Sequence, residues 1–475
     1  MPVLTRLEID GFKNLVGVVV ELGPFTCVAG ANGVGKSNLF DAIRFLSLLA
    51  DHKLVDAARR VRGADDDPTD PRELFTRSGT GDPELPMRFA VEMIVPAAAR
   101  DSYGRNGDAA ITFLRYELEL AYELPRGDER TGRIVLRRED LSHINQNEAS
   151  GHIRWPHNAG IFRRAVVTGF RRGGKFISTT EEAEKGTLVR IHADGGSRGL
   201  GKPANAAGAT ATMIGATSSV DDPTVFCAKT EMVSWRHLAL EPSAMRRPDK
   251  YWEAGEAPSV NESGAHIPAT LWHLGVVTGD RDAIFAEVAS TLSDLLPVQE
   301  IRVIPNDANQ QYELQLREPG GVWLGARALS EGTLRFLALA TISADPESAR
   351  LLCMEEPENG IHPSRIPAML RMLTAIAVDP LRPPGSDNPV RQVLINTHSP
   401  RMVQHLEAAN RAADLLIAEP ADVRGPHGVI RTVRFRHRKG TWREREGDGV
   451  GPGLAIAYLT VPVGGQAPLL VAEPG

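Results

Sequence analysis

The chain has 475 residues, 42% hydrophobic and 24% charged, with a formal net charge of −6. That length supports two to four domains with a real core, and the charge excludes a global pull toward nucleic acid, so any DNA contact needs a local basic patch. Cys27, Cys227 and Cys353 form no CxxC pair, which fits buried, reduced thiols in a cytoplasmic protein. The opening MPVLTRLEIDGFK has no basic segment followed by an apolar core, so no signal peptide is expected. No apolar run reaches membrane-spanning length, and no membrane partner is expected.

Residues 3–22 alternate apolar and polar around a turn at Asp10-Gly11 and predict two strands. Residues 24–30 predict a short apolar strand, then a glycine-rich loop, then a helix with apolar spacing from Leu39 to Leu49. Residues 51–84 are polar and predict surface loop, whereas 87–95 and 110–138 alternate again as antiparallel strands. From 142 to 275 the pattern weakens, and 193–222, dominated by Gly, Ala, Ser and Thr, predicts a mobile loop. Residues 266–295 predict two helices and 298–317 two strands with a turn near Asn306-Asp307. From 330 the order is helix, strand (351–355), helix (363–377), strand (392–397), helix (400–412), the alternation of a parallel α/β sheet. Neither an internal repeat nor sustained heptads are present.

Gly30-Ala31-Asn32-Gly33-Val34-Gly35-Lys36-Ser37 fits GxxxxGK[ST] between a predicted strand and helix. Glycines let the backbone N–H groups form a nest for the β-phosphate. Lys36 then reaches the β- and γ-phosphates and the Ser37 hydroxyl takes one Mg²⁺ position. Far downstream, LLCMEEPENGIHP (351–363) delivers Glu355 and Glu356 to the C-terminal edge of a strand. The first acid is placed to hold Mg²⁺ through water, the second to orient or deprotonate the attacking water; alone, the pair also reads as a solvated loop. Ser330 in LSEGTLR reads as a helix N-cap. His398, ending the strand in VLINTHSP, reads as a γ-phosphate partner or as an ordinary structural histidine.

Taken in order, these four motifs resemble the ABC-type ATPase heads of the RecF, SMC and OLD group. The nearest resemblance is to stand-alone bacterial AAA-family ATPases with LSxGTLR and EEPENGIHP, several of them in anti-phage systems. It covers 1–50 and 325–412 closely and 85–140 loosely. It implies nucleotide binding by Lys13, near the α-phosphate, and by Gly30, Ala31, Asn32, Gly33, Val34, Gly35, Lys36, Ser37 and Asn38. Glu356 becomes the catalytic glutamate, His398 the γ-phosphate switch, and Ser37 with Glu355 the Mg²⁺ set. Ser330, Glu331 and Gly332 become a signature acting in trans on the other subunit's ATP, and Asn359 to His362 line the dimer interface. Three departures stand out. Glu355 replaces the usual Asp, SEGT replaces SGGQ, and no Q-loop glutamine is placed, Gln146 being a candidate that also reads as a surface residue.

The long coiled coil of SMC and zinc-hook proteins is missing, and 77 residues follow His398, too few for the rest of the head plus the Toprim nuclease domain of OLD proteins. The fragments LLIAEP (415–420) and LLVAEP (469–474) lack a following DxD and are expected to be ordinary strands. Arg431, Arg434, Arg436, His437, Arg438, Lys439, Arg443 and Arg445 interleave with Phe435 and Trp442, with Lys439-Gly440 expected as a hairpin turn. That stretch reads as a phosphate and base contact or as a solvated basic face. The set Arg163, Arg164, Arg171, Arg172 and Lys175 carries the same two readings.

The expected fold is α/β, a P-loop NTPase of the ABC ATPase head type with a β-rich N-terminal lobe and an internal α+β insertion. Its divisions are 1–140, 141–320, 321–412 and 413–475. The expected function is an ATP-hydrolysing homodimer switch that uses ATP and Mg²⁺, serving a defence system with a separate effector protein. A RecF-like DNA-repair clamp and an ATP-stabilised scaffold are the alternatives, and DNA stays open as a partner.

Overall fold

The computed structural model describes residues 3–62, 70–77, 83, 85–125, 127, 131–194, 202–218, 220–253, 257–293, 295–425, 428–445 and 449–451. The chain forms two compact units: residues 1–235, 379–390 and 398–475 in the larger, 236–378 and 391–397 in the smaller.

The larger unit holds an eight-stranded antiparallel sheet. Its order is Lys202–Asn205, Gly186–Ile191, Ile177–Glu182, Arg133–His143, Phe113–Glu123, Met87–Ile94, Val3–Asp10, Val18–Glu21. The alternation at 3–10 and 113–123 appears directly as one buried and one partly exposed face. Phe12, Phe45 and Phe89 meet at 5.6–6.1 Å between ring centroids. Phe45 belongs to the helix Lys36–Leu49 and Phe89 to the strand Met87–Ile94, so this cluster fixes that helix on the sheet. In the same unit the strand Phe25–Ala29 is buried throughout and runs parallel to Leu415–Gly425, with Cys27 opposite Leu415 and Ala29 opposite Ile417. Leu415–Gly425, which contains LLIAEP, pairs antiparallel with Gly428–His437.

The sheet extends well beyond residue 140, because Ile177–Glu182, Gly186–Ile191 and Lys202–Asn205 continue it. Within the predicted mobile stretch, 202–218 carry the strand Lys202–Asn205 and a short helix, Met213–Ala216, while 195–201 and 219 lie outside the described residues. The buried Ile214 and the Thr212 hydroxyl, which donates to the Leu49 carbonyl at 3.0 Å, hold that segment against distant chain. Part of the polar stretch 51–84 is also ordered. Leu54, Ala57, Ala58 and Val61 recur at helical spacing and bury one face of the helix Leu54–Arg60. LLVAEP at 469–474 lies outside the described residues.

In the smaller unit the strand Leu351–Glu355 runs parallel to Gln392–Thr397, with Glu355 opposite Asn396. The helices Glu331–Ala344 and Ile366–Ile376 bury apolar faces including Leu334, Leu337, Met369 and Leu373. The predicted pairs are both present: helices Ile267–Thr278 and Arg281–Ser293, and a hairpin of Glu300–Asn306 and Gln311–Arg317, to which Trp323–Gly325 adds a strand. All three cysteines are buried and none of them forms a disulfide. Among the described residues no helix is long and apolar enough to cross a membrane.

Candidate functional site

In the larger unit the loop after Phe25–Ala29 turns sharply into the helix Lys36–Leu49. Gly33 and Gly35 take φ of +76° and +112°, a region that favours glycine. A Cβ on Gly35 would stand 2.4 Å from Asn14 Nδ2, and one on Gly30 would stand 2.6 Å from the Ala418 carbonyl oxygen. The loop is therefore cradled so tightly that only glycine fits at both ends. Asn14 is the strut: its Nδ2 donates to the Val34 carbonyl at 3.1 Å and its Oδ1 accepts from Asn38 Nδ2 at 2.7 Å. Lys36 is 5% exposed, and its ammonium donates to the carbonyls of Gly30 and Ala31 at 2.7 and 2.8 Å. Ser37 follows in the first helical turn.

Lys13 sits at φ +49° and its ammonium contacts Asp41 Oδ2 at 2.7 Å; Arg62 shares that carboxylate at 2.7 Å. Burial lowers the Lys13 pKa, and Asp41 opposes the shift. His398 follows the strand Gln392–Thr397 and precedes the helix Pro400–Ala408. Gln146 is exposed and donates to the Val167 carbonyl at 3.3 Å.

The smaller unit gathers the acids and the signature. Leu351–Glu355 is buried up to its last residue, so Glu355 and Glu356 emerge at the strand edge. Glu355 Oε1 lies 3.3 Å from His237 Nε2, and the Glu356 carboxylate accepts from Asn359 Nδ2 at 2.7 Å. Ser330 caps the helix Glu331–Ala344, its Oγ accepting from the Thr333 N–H at 3.1 Å. It is exposed, as is Glu331. A cavity of about 380 Å³ is lined by His237, Arg335, Glu355, Glu356, Asn359 and Ile361 among others. Sequence reading had missed Asn14, His237 and Arg335, whose contacts depend on approach from distant segments; Asn14, beside Lys13, and Arg335, at the end of LSEGTLR, carried a local signal.

The C-terminal basic stretch is largely spent on internal contacts. Arg438 and Arg443 are buried. Arg438 Nε donates to Glu407 at 2.8 Å, and Arg443 binds the Glu21 carbonyl, the Ala413 carbonyl and Thr26. Burial pushes the Arg443 pKa down to about 10. Arg445 pairs with Glu21, and Arg436 with Glu419 at 3.5 Å. Lys439-Gly440 is a turn beyond the hairpin strands, not their connection. In the second set Arg171 stacks on Phe176 at 4.0 Å and Lys175 pairs with Asp140 at 3.0 Å.

A glycine-built loop enclosing a lysine between a buried strand and a helix, with an acid-tipped strand and a serine-capped helix in the same chain, defines the class: a P-loop ATPase of the ABC head type. Residues 25–164 and 246–403, more than half of the chain, match the family described as "AAA domain, putative AbiEii toxin, Type IV TA system", and the chain belongs to that family. It is 37% identical over 60 residues to the DNA replication and repair protein RecF of Paenarthrobacter aurescens (strain TC1), a match spanning 12% of this chain and only 15% of that protein's length. Among solved structures it is similar to an Smc head bound to the C-terminal winged-helix domain of ScpA, at 13% identity and a TM-score of 0.41 over 91% of this chain and 98% of the other. It is also similar to an Smc head with an extended coiled coil bound to the C-terminal domain of ScpA from Pyrococcus furiosus, at 12% identity and a TM-score of 0.42 over 92% and 97%.

Proposed function

We propose that this chain binds and hydrolyses ATP between two copies of itself, and that the resulting open and closed states are the signal of a bacterial defence system acting through a separate effector protein. The observation carrying this proposal is the phosphate loop. Its two ends admit only glycine, and its lysine is already drawn inside, a preformed cationic nest for a polyphosphate. Lys13 and the run from Gly30 to Asn38 supply the nucleotide contacts. The donor set of one hydroxyl, Ser37, and one carboxylate, Glu355, fits Mg²⁺, which keeps several waters and takes few protein ligands. When bound, that ion supplies charge neutralisation on the phosphates. Glu356 accepts the proton of the attacking water and His398 hydrogen-bonds the terminal phosphate. Ser330, Glu331 and Gly332 complete the partner's site, and the exposure of Ser330 and Glu331 supports that role.

The family's description as a putative toxin of a toxin–antitoxin system supports the defence role. The RecF match favours a second reading, a clamp whose ATP-driven closure grips DNA. One experiment addresses both. Tagged Glu356→Gln, a trapping variant, is purified with ATP from native cells, with Lys36→Ala as the control. An ATP-dependent dimer that retains a protein after nuclease treatment supports the effector reading. Retention of DNA alone supports the clamp. A wild-type chain that neither binds nor turns over ATP would overturn both.

A further inference from the structure

The acid loop of the smaller unit is pinned from two sides. Glu356 adopts a left-handed backbone, φ +45°, which a non-glycine residue keeps only when its surroundings hold it. The hold comes from Asn396, 1% exposed, whose backbone carbonyl and Oδ1 both accept from the Glu356 N–H, at 3.1 and 3.0 Å. The turn that follows brings Asn359 back over Glu356. Its N–H donates to the Glu356 carbonyl at 3.0 Å and its Nδ2 donates to Glu356 Oε2 at 2.7 Å. From the other side Arg335 Nη1 donates to the Asn359 carbonyl, and Gly360 at φ +75° leaves room for that guanidinium. Arg335 stands five residues beyond Ser330 on the helix that Ser330 caps.

We propose that Asn359 is the positioning residue for Glu356, and that Arg335 links it to the signature end of the helix. This rests on Glu356 being the base of ATP hydrolysis. In that step Glu356 takes a proton from the water whose oxygen bonds to the terminal phosphorus. The phosphorus–oxygen bond to ADP breaks with its electron pair leaving on ADP, and the proton departs with the products. An amide donor on Oε2 fixes the carboxylate plane and rotamer. A misplacement of about 1 Å in such a group costs on the order of a hundredfold. Anything that moves the Ser330 end of the helix reaches Glu356 through Arg335 and the Asn359 carbonyl, so engagement of the signature by a second chain and readiness of the base become one event.

The test uses the full-length chain, with ATP affinity read by a fluorescent ATP analogue and turnover by phosphate release. Asn359→Asp keeps the side-chain shape and removes the donor. It is expected to lower kcat about tenfold to a hundredfold with KM and ATP affinity within about twofold. Asn359→Ala should match it, since Asn359 is exposed and fills no core space. Arg335→Ala should lower kcat by a smaller factor, and the Arg335→Ala/Asn359→Ala double variant should be no slower than Asn359→Ala alone, because both act along one connection. Near-normal turnover in Asn359→Asp overturns the positioning role, and multiplicative losses in the double variant overturn the link. Glu356→Gln separates the failures. If it retains turnover, the assignment of the base falls; if it is dead while Asn359→Asp is active, only the positioning proposal falls.

Discussion

Lys36 sits in a loop that has almost no room to change. Its ammonium rests on the Gly30 and Ala31 carbonyls, and Asn14 braces the loop from Val34 to Asn38. On the proposed assignment a triphosphate is held by backbone N–H groups together with the Lys36 charge, so Lys36→Ala removes a charge-assisted contact from the nest. ATP affinity should fall at least about a hundredfold in a fluorescent-nucleotide titration; survival of micromolar affinity would refute the phosphate-loop assignment. Gly35→Ala is a sharper test of the cradle. Its Cβ would meet Asn14 Nδ2 at 2.4 Å, and φ +112° is strained for alanine whatever the space. Asn14→Ala only removes the strut. Both should weaken ATP binding, Gly35→Ala by at least about tenfold and more than Asn14→Ala. The reverse order would show that space around Gly35 does not shape the nest.

At the scale of elements, a buried acid joins a short helix to the eight-stranded sheet. Glu139, on the strand Arg133–His143, is fully buried and accepts from the Met213 and Ile214 N–H groups at 2.6 and 2.9 Å and from the Tyr116 hydroxyl at 3.1 Å. It thereby ties the helix Met213–Ala216 to the sheet. Burial pushes its pKa up to about 7, against the pull of those donors. The folded state thus holds a proton that the unfolded chain, titrating near 4.5, has released. Its contribution is present below about pH 4.5 and is lost as pH rises to about 7, a swing on the order of 3 kcal/mol. Relative to Glu139→Gln, which stays neutral, the wild type should lose stability between pH 5 and pH 8 in urea melts. A difference independent of pH would contradict the buried protonated acid.

This same region marks where the sequence stopped being legible. Alternation betrays a strand only where one face is buried and the other wet. Phe113–Glu123 meets that condition, whereas Ile177–Glu182 buries little beyond Ile177 and reads as polar chain. Residues 202–218 are ordered by partners 74 and 163 positions away, Glu139 and Leu49, which no local window contains. Likewise Lys36 was visible through the GxxxxGK[ST] motif, and Glu355 and Glu356 through the apolar strand they end. The contacts of Asn14, Asn396 and Arg335 were not, because each forms only with what folds against it.

For the whole molecule, the proposed arrangement of two chains acting on two nucleotides makes a prediction that no single-chain enzyme shares. Ser330 lies nearly 300 residues from Lys36, and it caps its own helix through the Thr333 N–H while remaining exposed. If it serves the partner's ATP, Ser330→Arg should leave ATP binding by each monomer nearly intact, since that chain's phosphate loop is untouched. It should block the ATP-induced dimer, because a bulky cation replaces a small hydroxyl at a tight interface. The lost cap costs about 1 kcal/mol and would act equally with and without ATP, so light scattering in both conditions separates the two effects. Mixing Ser330→Arg with Lys36→Ala then tests direction. Acting in trans, both defects fall on the site that joins the Lys36→Ala loop to the Ser330→Arg signature, and the other site is whole. Acting in cis, each site carries one defect. Two inactive variants that recover ATPase activity on mixing establish the trans signature, and Ser330→Arg that dimerises with ATP as strongly as wild type removes it.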